Sequence, residues 1–137
     1  MQARKRERGF TLIEIMVVVV IIGILAAVVV PTIMSRPEQA KVTAAQHDIT
    51  KFVGALNLYR LDNGHYPTTD QGLEALVRKP TSNPLPRAWN EDGYLEKIPL
   101  DPWNNPYQYL SPGTRGKIDV WSLGPDGEPS DDDIGNW

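Results

Sequence analysis

Arg8-Gly9-Phe10-Thr11-Leu12-Ile13-Glu14 stands at the mouth of a long apolar run. Ile15 to Val30 contains no polar side chain, and Phe10 to Val30 contains only Thr11 and Glu14. At about 1.5 Å per helical residue, 10–30 spans roughly 32 Å, close to the bilayer's hydrocarbon thickness of about 30 Å. A charge inside such a segment costs roughly 2.5–3.5 kcal/mol on insertion scales and is seldom found without a partner or a role. Glu14 therefore requires a cation.

The leader supplies a way to make one. Residues 1–9 carry Arg4, Lys5, Arg6 and Arg8 against Glu7, a basic flank that keeps this end cytoplasmic. Cleavage between Gly9 and Phe10 would set a new α-amine one helical turn from Glu14. Gly9-Phe10-Thr11-Leu12-Ile13-Glu14 resembles the prepilin processing motif of type IV pilins and type II secretion pseudopilins. That resemblance implies cleavage after Gly9 by a prepilin peptidase/methyltransferase and N-methylation of Phe10. It also implies assembly through Glu14 and the Phe10 amine of a neighbouring subunit.

Other readings fit less well. A secretory signal needs small residues at −3 and −1 after its apolar core, and cleavage after Ala27 or Ala26 would put Leu25 or Ile24 at −3. An uncleaved anchor leaves Glu14 unpaired. A buried helix of a soluble protein has no need of so long an unbroken apolar run.

The chain has 137 residues and a formal charge of −3. Loss of the leader's four basic residues and one acid, from fourteen and seventeen, leaves ten basic and sixteen acidic side chains, a net of −6. No basic stripe survives, which argues against a nucleic-acid partner. Cysteine is absent, so stability outside the membrane must come from packing or a bound ion.

Ala45, Ile49, Phe52, Val53, Leu56 and Tyr59 recur at three- and four-residue spacing, and Lys41, His47, Asp48, Lys51 and Arg60 fall largely between them. This predicts an amphipathic helix to about Leu61, closed by Asp62-Asn63-Gly64. Gly23, Pro31 and Pro37 weaken or bend it, and 23–31 is expected to unwind when the subunit leaves the bilayer. A short helix is expected over Gln71–Val77, capped by Thr69 or Asp70 and supported by Glu74. Lys79 to Gly93 reads as an ordered loop. Tyr107–Leu110 and Ile118–Ser122 read as strands joined by the turn Ser111–Gly116. Tyr107, Tyr109, Trp121 and Trp103 are expected to pack the sheet onto the helix.

Leu123 to Asp133 holds Asp126, Glu128, Asp131, Asp132 and Asp133 and no base. Calcium takes six to eight oxygens from carboxylates and carbonyls in a loop able to curl round it. Composition alone favours a solvated acidic tail, but Ile134-Gly135-Asn136-Trp137 argues against a free end. The glycine and terminal glutamate are misplaced for an EF-hand.

Asp101-Pro102-Trp103-Asn104-Asn105-Pro106-Tyr107, Ser122-Leu123-Gly124-Pro125-Asp126-Gly127 and Asp132–Trp137 resemble segments shared by the major pseudopilins of type II secretion, within the type IV pilin-like superfamily. The resemblance implies structural calcium (Ca2+) held by the Leu123 carbonyl, Asp126, the Glu128 carbonyl, Asp131 and Asp133, with Asp132 facing solvent. It implies an α+β fold with a long N-terminal helix packed on a small antiparallel sheet. The expected domains are a cleaved leader over 1–9, a transmembrane and polymerisation helix over 10–30, an amphipathic stalk over 31–62, and a periplasmic domain over 63–137 with its calcium loop at 123–133.

No catalytic constellation is visible. His47 is expected on the exposed face of the stalk, His65 in a turn, and Ser122 at a strand end without a base. The expected function is a non-enzymatic subunit that polymerises into the periplasmic pseudopilus of type II secretion and drives folded proteins across the outer membrane. The alternative is a type IV major pilin for adhesion, motility or DNA uptake, against which the acidic loop and missing cysteines speak. A monomeric membrane-anchored binding domain would need Glu14 to be dispensable. The implied partners are further copies of the chain, the prepilin peptidase, minor pseudopilins, the inner-membrane assembly platform and the outer-membrane secretin. The implied location is a single pass through the bacterial inner membrane with the C-terminal domain in the periplasm.

Overall fold

The computed structural model describes residues 9–137, the side chains of 30–36 excepted. The basic leader, apart from Gly9, lies outside them. Helix α1 runs Leu12–Asn63. It stays helical through Gly23, Pro31 and Pro37. The chain divides into two compact units, one ending at Glu38 and the other Gln39–Trp137.

In the first unit every large apolar side chain between Leu12 and Val29 that lines the helix is at least 47% exposed. Leu12–Val29 is long and apolar enough to cross a membrane, with mean hydropathy 3.2.

The second unit is built on the amphipathic stretch of α1. Ala45, Ile49, Phe52, Leu56 and Tyr59 are all at least 95% buried, matching the periodicity of the sequence, and Val53 packs beside them. Burying each large apolar side chain is worth about 1.5–3 kcal/mol. The helix ends where expected. Gly64 adopts φ 81° and donates its N–H to the Arg60 carbonyl at 2.7 Å, a left-handed exit that glycine makes without a Cβ penalty. Asn63 does more than close the helix. It is buried, its amide donates to the Tyr59 carbonyl and the Tyr94 hydroxyl, and its oxygen accepts from the Ala88 N–H.

The second helix is shorter than its sequence suggested, a 3-10 turn at Leu73–Leu76. The reciprocal cap forms at Thr68 and Gln71, not at Thr69 or Asp70. Gly72, at φ 62°, leaves the right-handed region and prevents one helix from running through 71–77. The 79–93 loop has neither helix nor strand and is tied back by Trp89, whose indole donates to the Ala75 carbonyl at 2.9 Å.

Strands β1 (Gln108–Leu110), β2 (Asp119–Ser122) and β3 (Ile134–Gly135) form an antiparallel sheet in that order. Tyr109 faces Val120, and Trp121 faces Gly135. The first two strands were legible; β3 was read only as an anchored end. The aromatics divide their work. Tyr107 packs edge-on against Phe52 at 4.9 Å and donates its hydroxyl to Asp48. Burial, then the Asp48 carboxylate, pushes the Tyr107 pKa up. Tyr109 packs against the core, and burial pushes its pKa up to about 12. Trp121 instead meets Trp137 at 6.3 Å, and Trp103 is only half-buried.

Candidate processing, assembly and ion-binding sites

At the N-terminal end, Gly9, Phe10 and Thr11 precede the helix, and all three are exposed. A protease needs an extended strand of substrate, and this is the last non-helical stretch before fifty-two residues of helix. A Cβ at Gly9 would meet nothing within 4 Å, so the protein's own packing does not demand glycine there.

Thr11 is a residue that the sequence reading passed over. Its hydroxyl accepts the Glu14 N–H at 3.3 Å, and its carbonyl accepts the same N–H at 3.1 Å. Thr-x-x-Glu is the spacing of a capping box, so the signal was present. Thr11 thereby fixes where the helix begins, and Glu14 sits in the first turn, where the helix dipole favours an acid.

At the other end of the chain, the 123–133 segment offers oxygen donors only. Asp126 and Asp131 are exposed and Asp133 is half-buried. Three carboxylates gather round Ser130. Its hydroxyl donates to Asp126 at 3.2 Å and to Asp132, and its N–H donates to Asp133 at 3.3 Å. Asp132 is exposed, as expected, but engages that hydroxyl. Asp126 also accepts the Glu128 N–H, and Gly124 and Gly127 make the left-handed turns that fold the segment back. Among the described residues no three His, Cys, Asp or Glu side chains already converge as a metal cage. The donor chemistry suits a hard cation such as calcium, which takes its oxygens from a loop able to close round it.

Two buried carboxylates brace this region. Burial raises the Asp119 pKa, but N–H donors from Arg115, Thr114 and Gly116 and the Thr114 hydroxyl outweigh it and hold the pKa below its ordinary value. Asp101 accepts the Trp103 and Asn105 N–H groups on one oxygen and the Ser122 hydroxyl on the other, the last at 2.6 Å. Ser122 therefore has a carboxylate beside it, contrary to the expectation from sequence. Both residues are at least 97% buried, so the pair is closed to any substrate. His47 is exposed and distant in sequence from both, and His65 Nδ1 lies 3.0 Å from the Tyr66 carbonyl.

Comparison with known proteins agrees with both ends of the chain. Residues 4–30 match the model of the prokaryotic N-terminal methylation motif, and residues 32–137 match that of type II secretion system (T2SS) protein G. The type II secretion system core protein G of Pseudomonas aeruginosa is 64% identical, over 98% of this chain and 97% of that protein. Its counterpart in Aeromonas hydrophila is 56% identical over 98% and 94%. The crystal structure of the major pseudopilin from the type 2 secretion system of enterohaemorrhagic Escherichia coli superposes with a TM-score of 0.72 at 48% identity, covering 76% of this chain and 88% of that one. With a methylation motif on its apolar helix and a protein G match from residue 32 to residue 137, the chain belongs to the type II secretion protein G family of major pseudopilins.

Proposed function

We propose that this chain is the repeating subunit of the periplasmic pseudopilus, a filament that drives folded proteins through the outer-membrane secretin. One observation carries the reading: an exposed apolar stretch of helix, Leu12–Val29, whose single carboxylate, Glu14, lies five residues into the chain counted from Phe10. Fifteen exposed large apolar side chains between Phe10 and Val29 need a bilayer or other copies of the same helix to cover them. A carboxylate that travels between those two environments is stabilised only where a cation meets it, and the Phe10 amine of the next subunit supplies one.

The precursor inserts once into the inner membrane, leader inward and residues 39–137 in the periplasm. The prepilin peptidase cuts between Gly9 and Phe10 and methylates Phe10. The assembly platform then feeds subunits into the filament, where minor pseudopilins join it. Unwinding around Gly23 and Pro31 would let the apolar helix adjust to its new neighbours. Calcium held by the Leu123 and Glu128 carbonyls, Asp126, Asp131 and Asp133 would offset repulsion among the loop's five acids.

Removing one partner of a buried ion pair commonly costs about 3–5 kcal/mol. Glu14→Ala should therefore enter the membrane normally yet yield few or no filaments by electron microscopy; normal filament yield refutes the assembly role. Gly9→Val should leave uncleaved precursor, and mass spectrometry of wild-type mature protein should find Phe10 first. A mature chain that begins elsewhere refutes the processing reading.

A further inference from the structure

The geometry points to the Asp101–Ser122 pair as the positioning element of the ion loop, setting the Leu123 carbonyl before any ion arrives; this rests on the calcium reading above. The Ser122 hydroxyl donates to Asp101 Oδ2 at 2.6 Å and accepts the Gly124 N–H at 3.1 Å. One buried oxygen thus grips the residues on both sides of Leu123. Gly124 is itself buried and held at φ 71°, so neither peptide flanking Leu123 turns freely.

Asp101 is an anchor that cannot readily move. Its other oxygen takes the Trp103 and Asn105 N–H groups at 3.0 and 2.8 Å. Its own N–H donates to the Asn105 carbonyl and its carbonyl accepts from Asn104, closing a tight turn. The same turn reaches the loop a second time, because the Asn105 side chain lies against Gly127, 3.3 Å from where a Cβ there would stand. The 101–105 turn therefore braces the loop at Leu123 and again beside Glu128, next to the two carbonyls assigned as ligands. Hydrogen bonds to an ionised acceptor are strong, and a buried one is costly to leave unmade. A carbonyl held in place beforehand costs the ion no ordering of that part of the loop.

Removing the outer partners of metal ligands typically weakens binding 10–100-fold. Calcium titrated calorimetrically into the full chain in detergent micelles should show a Kd raised at least about tenfold in both Ser122→Ala and the isosteric Asp101→Asn. Ser122→Thr, which keeps the hydroxyl, should bind within a few-fold of wild type. A merely structural pair would lower the melting temperature equally with calcium and with chelator and leave Kd unchanged, and that result in either variant overturns the proposal. A wild-type chain with no calcium response refutes the ion loop itself and this inference with it. A wild-type chain that binds beside a Ser122→Ala chain that binds equally refutes the positioning alone.

Discussion

Asp119 shows how a single buried acid can hold a turn that has no regular structure. Three backbone N–H groups and one hydroxyl converge on its carboxylate between 2.7 and 3.0 Å, closing the 114–119 segment ahead of β2. The carboxylate is favoured in the folded state, since its pKa there lies below the ordinary 3.8. The stabilisation is therefore complete above about pH 4 and is lost as pH falls through the depressed value. Asp119→Ala should cost about 2–3 kcal/mol at neutral pH, because four donors lose a charged acceptor. Chemical denaturation at pH 7 and pH 3 checks it: the mutant penalty should shrink at the lower pH, and a constant penalty would contradict the charge-based account.

The smallest element depends on a side chain. β3 is only two residues long, yet it completes the sheet because Asn136 extends its pairing with β2. The Asn136 N–H donates to the Val120 carbonyl, its side-chain oxygen accepts the Val120 N–H at 2.9 Å, and its side-chain amide donates to the Ile118 carbonyl at 3.0 Å. Trp137 then folds back onto Gly135, and the Arg115 guanidinium stands over its ring at 3.8 Å. Asn136→Ala should destabilise the domain by about 1–3 kcal/mol by stranding the Val120 N–H. Faster amide exchange at Val120 is the expected signature, and unchanged exchange there would refute the pairing role.

At the scale of the whole molecule the domain lacks disulfides, and its C-terminal acids lie beside the sheet that closes it. If calcium draws Asp126, Asp131 and Asp133 together, it stabilises the folded state by about 2.7 kcal/mol at a hundredfold excess over its dissociation constant. Thermal melts of the full chain in micelles should shift upward with calcium relative to chelator. Asp133→Ala should abolish that shift, whereas Asp132→Ala should largely keep it. Coincident wild-type melts, or equal loss in the two variants, would remove calcium from the account.

Local order determined what could be read without coordinates. Sixteen apolar positions from Ile15 to Val30, an apolar face recurring every three to four residues and a glycine past Asn63 each act within a turn or two of helix. That is why the membrane-length run, the stretch from Ala45 to Tyr59 and its exit were legible. The third strand, the shortened turn at Leu73–Leu76, the partnership of Asp101 with Ser122 and the reach of Asn136 to Val120 came only from the tertiary structure. Their partners stand twelve or more residues apart, or depend on the handedness of one glycine. Such contacts form only once the helix and sheet have excluded water and a polar group must find whichever partner the fold brings within reach.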